Sequence, residues 1–245
     1  MNILTIYARE CKERYTPLGF RRIRQTYARI VNDVLQTFTF MRCRTGHHCR
    51  VEFGVFPLCQ ALEYADLGLY RLDDFEVSTY LEDWYYDNHS EDSMNACVQQ
   101  ICSYIDHYLL PFFDKANCSK NALPALIALD EHIHYVRQTH LQQRGIKDRA
   151  KLDWRYASLL KYEKFFMALK CGQYDYAREA AQVLIPKSRP EYQKLYRSII
   201  DHLDAEDMAY IENILYEREQ ESLKNLGKDR LKPSTNFDPN ELLYS

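Results

Sequence analysis

The sequence predicts an α+β protein: an N-terminal antiparallel meander of three or four strands packed by helices, followed by an all-helical C-terminal region. Two patterns carry that reading. Val34 to Arg44 alternates strictly, with Val34, Gln36, Phe38, Phe40 and Arg42 on one side and Leu35, Thr37, Thr39, Met41 and Cys43 on the other, which is the period of a strand. Downstream, apolar residues recur every three or four positions, the stripe of an amphipathic helix.

The strands follow in order. Tyr27 to Val31 precedes Asn32-Asp33, a dipeptide that tolerates the left-handed geometry of a tight hairpin. After the Thr45-Gly46 turn, Val51, Phe53 and Val55 alternate again. A sheet with one apolar face must cover it, and the downstream helices are the natural cover. The first helix of that cover is marked by Met94, Cys97, Val98, Ile101, Tyr104, Ile105 and Tyr108, beginning at the cap Ser90 and ending at Pro111. Leu123, Leu126, Ile127, Leu129, Ile133 and Val136 mark a second, running to about Gln143 before Gly145. Ile146 to Lys151 reads as a polar connector and a boundary.

The last third holds Trp154, Leu159, Leu160, Phe165, Phe166 and Leu169, then Gly172, then Tyr176, Ala177, Ala180, Ala181 and Leu184: a helix, a turn and a helix. The string ALKCGQYDYAREAAQVL (Ala168 to Leu184) resembles the inter-helix turn of a tetratricopeptide unit, but one copy does not make the stack of about three such units that an array needs. A final pair spans Glu191 to His202 and Ala205 to Leu226, with Asp204 as cap. From Lys228 the chain loses periodicity and carries two prolines, a tail that Phe237 and Leu242-Leu243 could dock. The expected division is therefore a sheet domain over 1–115, a helical region over 116–227 and a tail over 228–245.

An N-terminal helix, then Gly19-Phe20, an aromatic strand at Tyr27, DVLQTFTFMRCR (Asp33 to Arg44) and VEFGVFPL (Val51 to Leu58) together resemble an uncharacterised bacterial family, domain-of-unknown-function family 4304. The resemblance covers about residues 3–115 if Leu109-Leu110-Pro111-Phe112-Phe113 closes it. It implies a fold and no activity, because the matching positions are strand and core residues.

Composition narrows the chemistry. Seven glycines in 245 residues argue against phosphate-cradling loops, while twenty tyrosines suit half-buried helix seams. No apolar run approaches the roughly 20 residues that span a bilayer. Arg9 and Glu10 break the apolar start of the chain, so no secretory leader is expected and a cytoplasmic setting is. The eight cysteines are scattered through a chain long enough to fold without staples, and read as reduced, mostly buried thiols.

Charge is segregated. Residues 1–58 carry ten Lys/Arg against four Asp/Glu, a net of +6; residues 59–100 carry ten Asp/Glu against one Arg, a net of −9; the rest balances. Either the acidic stretch folds over the sheet and neutralises it, or a basic strand surface is left to grip phosphate or an acidic protein. Arg22, Arg24, Arg29, Arg42 and Arg44 are the partner-binding candidates. A pI near 6.3 weighs against a dedicated nucleic-acid binder, which needs a basic excess.

Two groups of reactive side chains need weighing. Cys43, His47, His48 and Cys49 could supply a tetrahedral zinc site, but Cys-x3-His-His-Cys lacks the two-residue gap between cysteines that wraps a metal, and a polar turn is the preferred reading. On the second helix, Asp130 and His134 are one turn apart, which could let a carboxylate orient an imidazole. With His132, His140 and Glu131 around them and no nucleophile at a telling spacing, an exposed helix face is preferred. Serine-hydrolase, zincin, Walker and paired Cys-x-x-Cys signatures are missing from the chain. The expected function is thus a non-catalytic interaction protein with a protein partner and no cofactor, analogous in composition to bacterial immunity and antitoxin proteins. The alternatives are an enzyme with a pocket between sheet and helices, using Glu52, Asp33 or His134 as acid or base, and a nucleic-acid binder using the basic strands.

Overall fold

A computed structural model describes residues 2–43, 46–65, 68–76, 84–143 and 162–233. Helix α1 (Ile3–Tyr15) starts where the Asn2 side chain accepts the Thr5 N–H at 3.0 Å, and it buries Ile3, Ile6, Tyr7, Cys11 and Tyr15 along one face. The sheet follows: β1 (Arg21–Ile23), β2 (Thr26–Val31), β3 (Val34–Arg42), β4 (His48–Pro57), β5 (Tyr70–Arg71) and β6 (Trp84–Tyr85). The order is β1-β2-β3-β4-β5, all antiparallel, with β6 beside β5 on the same edge of β4. This is the α+β architecture that alternation predicts. The Asn32-Asp33 hairpin sits where expected, with Val31 opposite Val34 and Asn32 at φ 50°. Strand β4 begins three residues earlier than Val51, and the short strands β1, β5 and β6 add edges too brief to show alternation.

Each face of the sheet has its own cover. Tyr27, Val34, Phe38, Phe40, Val51, Phe53 and Val55 face α1 and the helices after the sheet; the Tyr7 ring meets Phe40 at 4.6 Å and Tyr15 meets Phe38 edge-on at 5.3 Å. Gln36 stands in this apolar row, fully buried. Its amide donates to Phe113 O (2.7 Å) and Ala116 O (3.1 Å) and accepts from Arg29 Nε (2.7 Å), as a buried amide must. The opposite face carries Ala28, Ile30, Leu35 and Phe56 against Leu58, Leu62, Leu226 and Leu231.

Helix α2 (Glu91–Tyr104) begins at Ser90, whose hydroxyl accepts the Ser93 N–H, as predicted. It does not end at Pro111. A π turn over Ile105–Leu109, in which the Leu110 N–H bonds to Ile105 O, leads into α3 (Leu110–Lys115). Pro111 thus falls in the first turn of a new helix, where its missing N–H costs nothing. Helix α4 (Ser119–Gln143) buries Leu123, Leu126, Leu129, Ile133 and Val136, and Asp33 Oδ1 accepts its first N–H at 2.9 Å.

Helices α5 (Tyr162–Lys170) and α6 (Tyr174–Leu184) join through Gly172 at φ 70°, and α7 (Pro190–Asp204) and α8 (Met208–Lys228) follow as the last helices of the described residues. The cap of α8 is Asp207 rather than Asp204: Glu206 turns the chain at φ 56°, and Asp207 accepts the Tyr210 N–H at 3.1 Å while Asp204 accepts from Arg178 Nε at 2.8 Å. One apolar cluster runs from Ile3 through Phe53 and Phe165 to Leu215.

Polar side chains of α8 grip the segment leaving the sheet. Ser222 Oγ accepts the Leu62 N–H (2.6 Å) and donates to Leu58 O (2.5 Å), and Arg218 donates to Cys59 O and Gln60 O while lying over the Phe166 ring. Beyond α8, Leu231 is buried and Pro233 bridges in parallel to Ile30. The expected connector at 146–151, Arg44, Trp154, Phe237 and Leu242-Leu243 lie outside the described residues.

Candidate functional site

Two helix ends and an edge strand converge on a cleft of about 710 Å³. Helix α1 closes with Gly19 at φ 86° and the Phe20 N–H returning to Tyr15 O; α8 closes the same way, with Arg230 at φ 61° and the Leu231 N–H returning to Leu226 O. These are left-handed helix stops. They place the β1 arginines beside the segment after α8, at the point where β1 stops and Pro233 takes up the edge of β2. Lys12, Arg21, Arg22, Arg230 and Lys232 line the cleft, against one acid, Asp229.

All five cations are exposed, and none forms an ion pair among the described residues. Each helix C-terminus contributes about half a negative charge, so an excess of about three positive charges remains. The floor is apolar, with Phe20 and Ile30 buried beneath it. A neighbouring hollow is bounded by Ile23, Arg24, Tyr64 and Asp229, and the Arg24 carbonyl holds Arg22 Nε at 2.8 Å.

Of the arginines singled out from sequence, Arg22 lines the cleft and Arg24 the hollow beside it. Arg29 has an internal role. It lies over the Phe20 ring at 4.5 Å, donates to Leu18 O and Gln36, and approaches Asp114 at 3.5 Å; burial pulls its pKa down against the pull of Asp114. Arg42 is exposed at the end of β3, outside the cleft lining. Lys12, Arg230 and Lys232 had no signal in the sequence, because chain ends 200 residues apart meet only in the fold. Two described acids of the acidic stretch have internal partners. Asp73, fully buried, holds Arg71 Nε at 3.1 Å, and Glu76 accepts from the Tyr104 hydroxyl at 3.0 Å and from Tyr108; the Glu76 contact pushes Tyr108 up to about 12.

At the hairpin tip, Cys49 and the two histidines have different surroundings. Cys49 is buried, its sulfur 3.6 Å from Cys97, whereas His47 and His48 are half-exposed and stack around Tyr85. Among the described residues no three His, Cys, Asp or Glu side chains are placed to hold a metal ion. Asp130 turns away from His134: its carboxylate takes the Tyr70 hydroxyl at 3.1 Å and the buried Lys164 ammonium, and burial holds its pKa up despite that cation. His134 bonds to Gln138 instead, at 3.1 Å.

Glu52 pairs with Arg50, two residues before it on β4, at 2.9 Å, so the three acid–base candidates do not meet. Asp33 is at a second hollow of about 640 Å³, between the β2–β3 hairpin, the start of α4 and the α5–α6 turn, where it caps α4 and pairs with Lys170 at 3.3 Å. Cys118 and Cys171 line the same hollow, and burial pushes the Cys171 thiol up to about 11.

No helix among the described residues is long and apolar enough to cross a membrane, and all eight cysteines are free thiols, five of them buried. Comparison with known proteins finds no matching family model, no matching curated protein and no matching solved structure.

Proposed function

We propose that the protein is a non-catalytic interaction module that draws an acidic segment of a protein partner into the cleft between α1, β1 and the end of α8. The observation that carries this reading is the gathering of Lys12, Arg21, Arg22, Arg230 and Lys232, from three parts of the chain, with no ion pair among the described residues. Leaving five cations together costs stability through self-repulsion, and an anionic partner relieves it. A protein segment suits the cleft better than nucleic acid. Single-strand binders stack bases on exposed rings, yet the aromatic rings of this cleft, Phe20 and Tyr27, are buried, with the Tyr27 hydroxyl donating to Ala8 O. Eight free thiols support a reducing, cytosolic setting.

The test is fluorescence anisotropy with a glutamate-rich peptide and a single-stranded oligonucleotide of equal charge, on the wild type and on the Arg21→Glu, Arg230→Glu double variant. Tighter binding of the peptide, weakened at least tenfold by the charge reversal, supports the proposal. Tighter binding of the oligonucleotide, or indifference to the reversal, overturns it.

A further inference from the structure

Helix α2 carries two cysteines five positions apart, and each meets a thiol on a different element. Cys97 faces Cys49 of β4 with 3.6 Å between the sulfurs, and Cys102 lies beside Cys11 of α1. Four of the eight cysteines are therefore paired across element boundaries, where packing alone needs only a small apolar group. In the 3.6 Å contact either sulfur can donate, and Cys49 also lies 3.7 Å from Trp84 O; with Cys49 donating to Cys97, the contact lowers the Cys97 thiol below its ordinary range. Cys97 is the slightly exposed member, at 4% against 0%.

We propose that Cys49 and Cys97 are a redox modification site, forming a reversible disulfide between β4 and α2 on exposure to hydrogen peroxide. The Cys97 thiolate attacks one peroxide oxygen, the O–O bond breaks, and hydroxide leaves, giving the sulfenic acid at Cys97. The Cys49 sulfur then attacks the Cys97 sulfur; its proton goes to the departing hydroxyl, and water leaves as the disulfide forms. The sulfurs close from 3.6 Å to a bond of about 2.05 Å, a shift that χ1 adjustment of two small side chains can supply. The Cys11–Cys102 pair, with both thiols fully buried, is the slower of the two to react.

The measurement is a hydrogen peroxide titration of the full chain, followed by alkylation of remaining thiols and peptide mapping, with Tm recorded before and after reduction. The expected result is a peptide pair joined through Cys49 and Cys97, formed at peroxide concentrations that leave Cys11 and Cys102 alkylatable, with Tm raised by about 5–10 °C and returned by dithiothreitol. In Cys49→Ser the resolving thiol is gone, so a sulfenic acid at Cys97 should be trapped by dimedone. Both thiols remaining alkylatable after Cys43 and Cys171 have been oxidised overturns the proposal, as does either sulfur linking elsewhere. The wild-type mapping decides the question even where the serine variant fails to fold.

Discussion

Replacing Gln36 with leucine tests the joint between the sheet and the helices that follow it. The side chain is fully buried and close to leucine in volume, so cavity and overpacking effects are small beside the loss of polar contacts. What the change removes is three hydrogen bonds: two neutral ones to Phe113 O and Ala116 O and one from the Arg29 guanidinium. Each neutral bond contributes about 1 kcal/mol net and the charge-assisted one about 1.5–3 kcal/mol. The extra apolar burial of leucine returns about 1 kcal/mol, leaving a loss of about 3 kcal/mol. Arg29 keeps Leu18 O and Asp114, which prevents a larger loss. Equilibrium urea unfolding followed by circular dichroism is the assay, with the midpoint falling and the slope unchanged. A loss below 1 kcal/mol would show that the Gln36 bridge does not hold α3 to β3 and would refute the reasoning.

Ser222→Ala removes the hydroxyl that serves both Leu58 O and the Leu62 N–H, and should cost about 2–4 kcal/mol in the same assay because both backbone groups stay buried; a neutral result would detach α8 from its role as a clamp on the segment after β4. Cys171, held up at about 11 by burial, should be protonated at neutral pH, so its alkylation by iodoacetamide should rise about tenfold per pH unit from 7 to 9 without levelling. A plateau beginning near pH 8.5 in a time course read by mass spectrometry would contradict that.

Much of the fold is readable in the sequence, for identifiable reasons. Alternation through Val34–Phe40 and β4 works because each face of those strands meets a different environment, and the Ser90 cap and the Leu123–Val136 stripe work because their cause is local. Pro111 misleads because the π turn that accommodates it depends on the five-residue spacing between Ile105 and Leu110, which no composition signal marks. Asp204 and Asp207 are equally good caps by residue type, and the left-handed Glu206 chooses between them. Gln36 was visible as a polar member of an apolar row, but its partners lie 77 and 80 residues away. The site was half legible: Arg22 and Arg24 belong to a basic stretch, whereas Arg230 and Lys232 sit in what reads as a featureless tail. Arg29 has the same chemistry as Arg22 and a structural task, a distinction that only its ring contact with Phe20 and its carbonyl partner reveal.

The central claim is that one cleft, built from residues 19–23 and 229–233, receives an acidic segment. Hydrogen–deuterium exchange with and without the glutamate-rich peptide measures this most directly. The account predicts slowed exchange confined to those two segments and the end of α1, lost when sodium chloride screens the cations. Protection appearing instead at the Asp33–Lys170 hollow or around His47, His48 and Tyr85, with residues 19–23 and 229–233 unchanged, would contradict it.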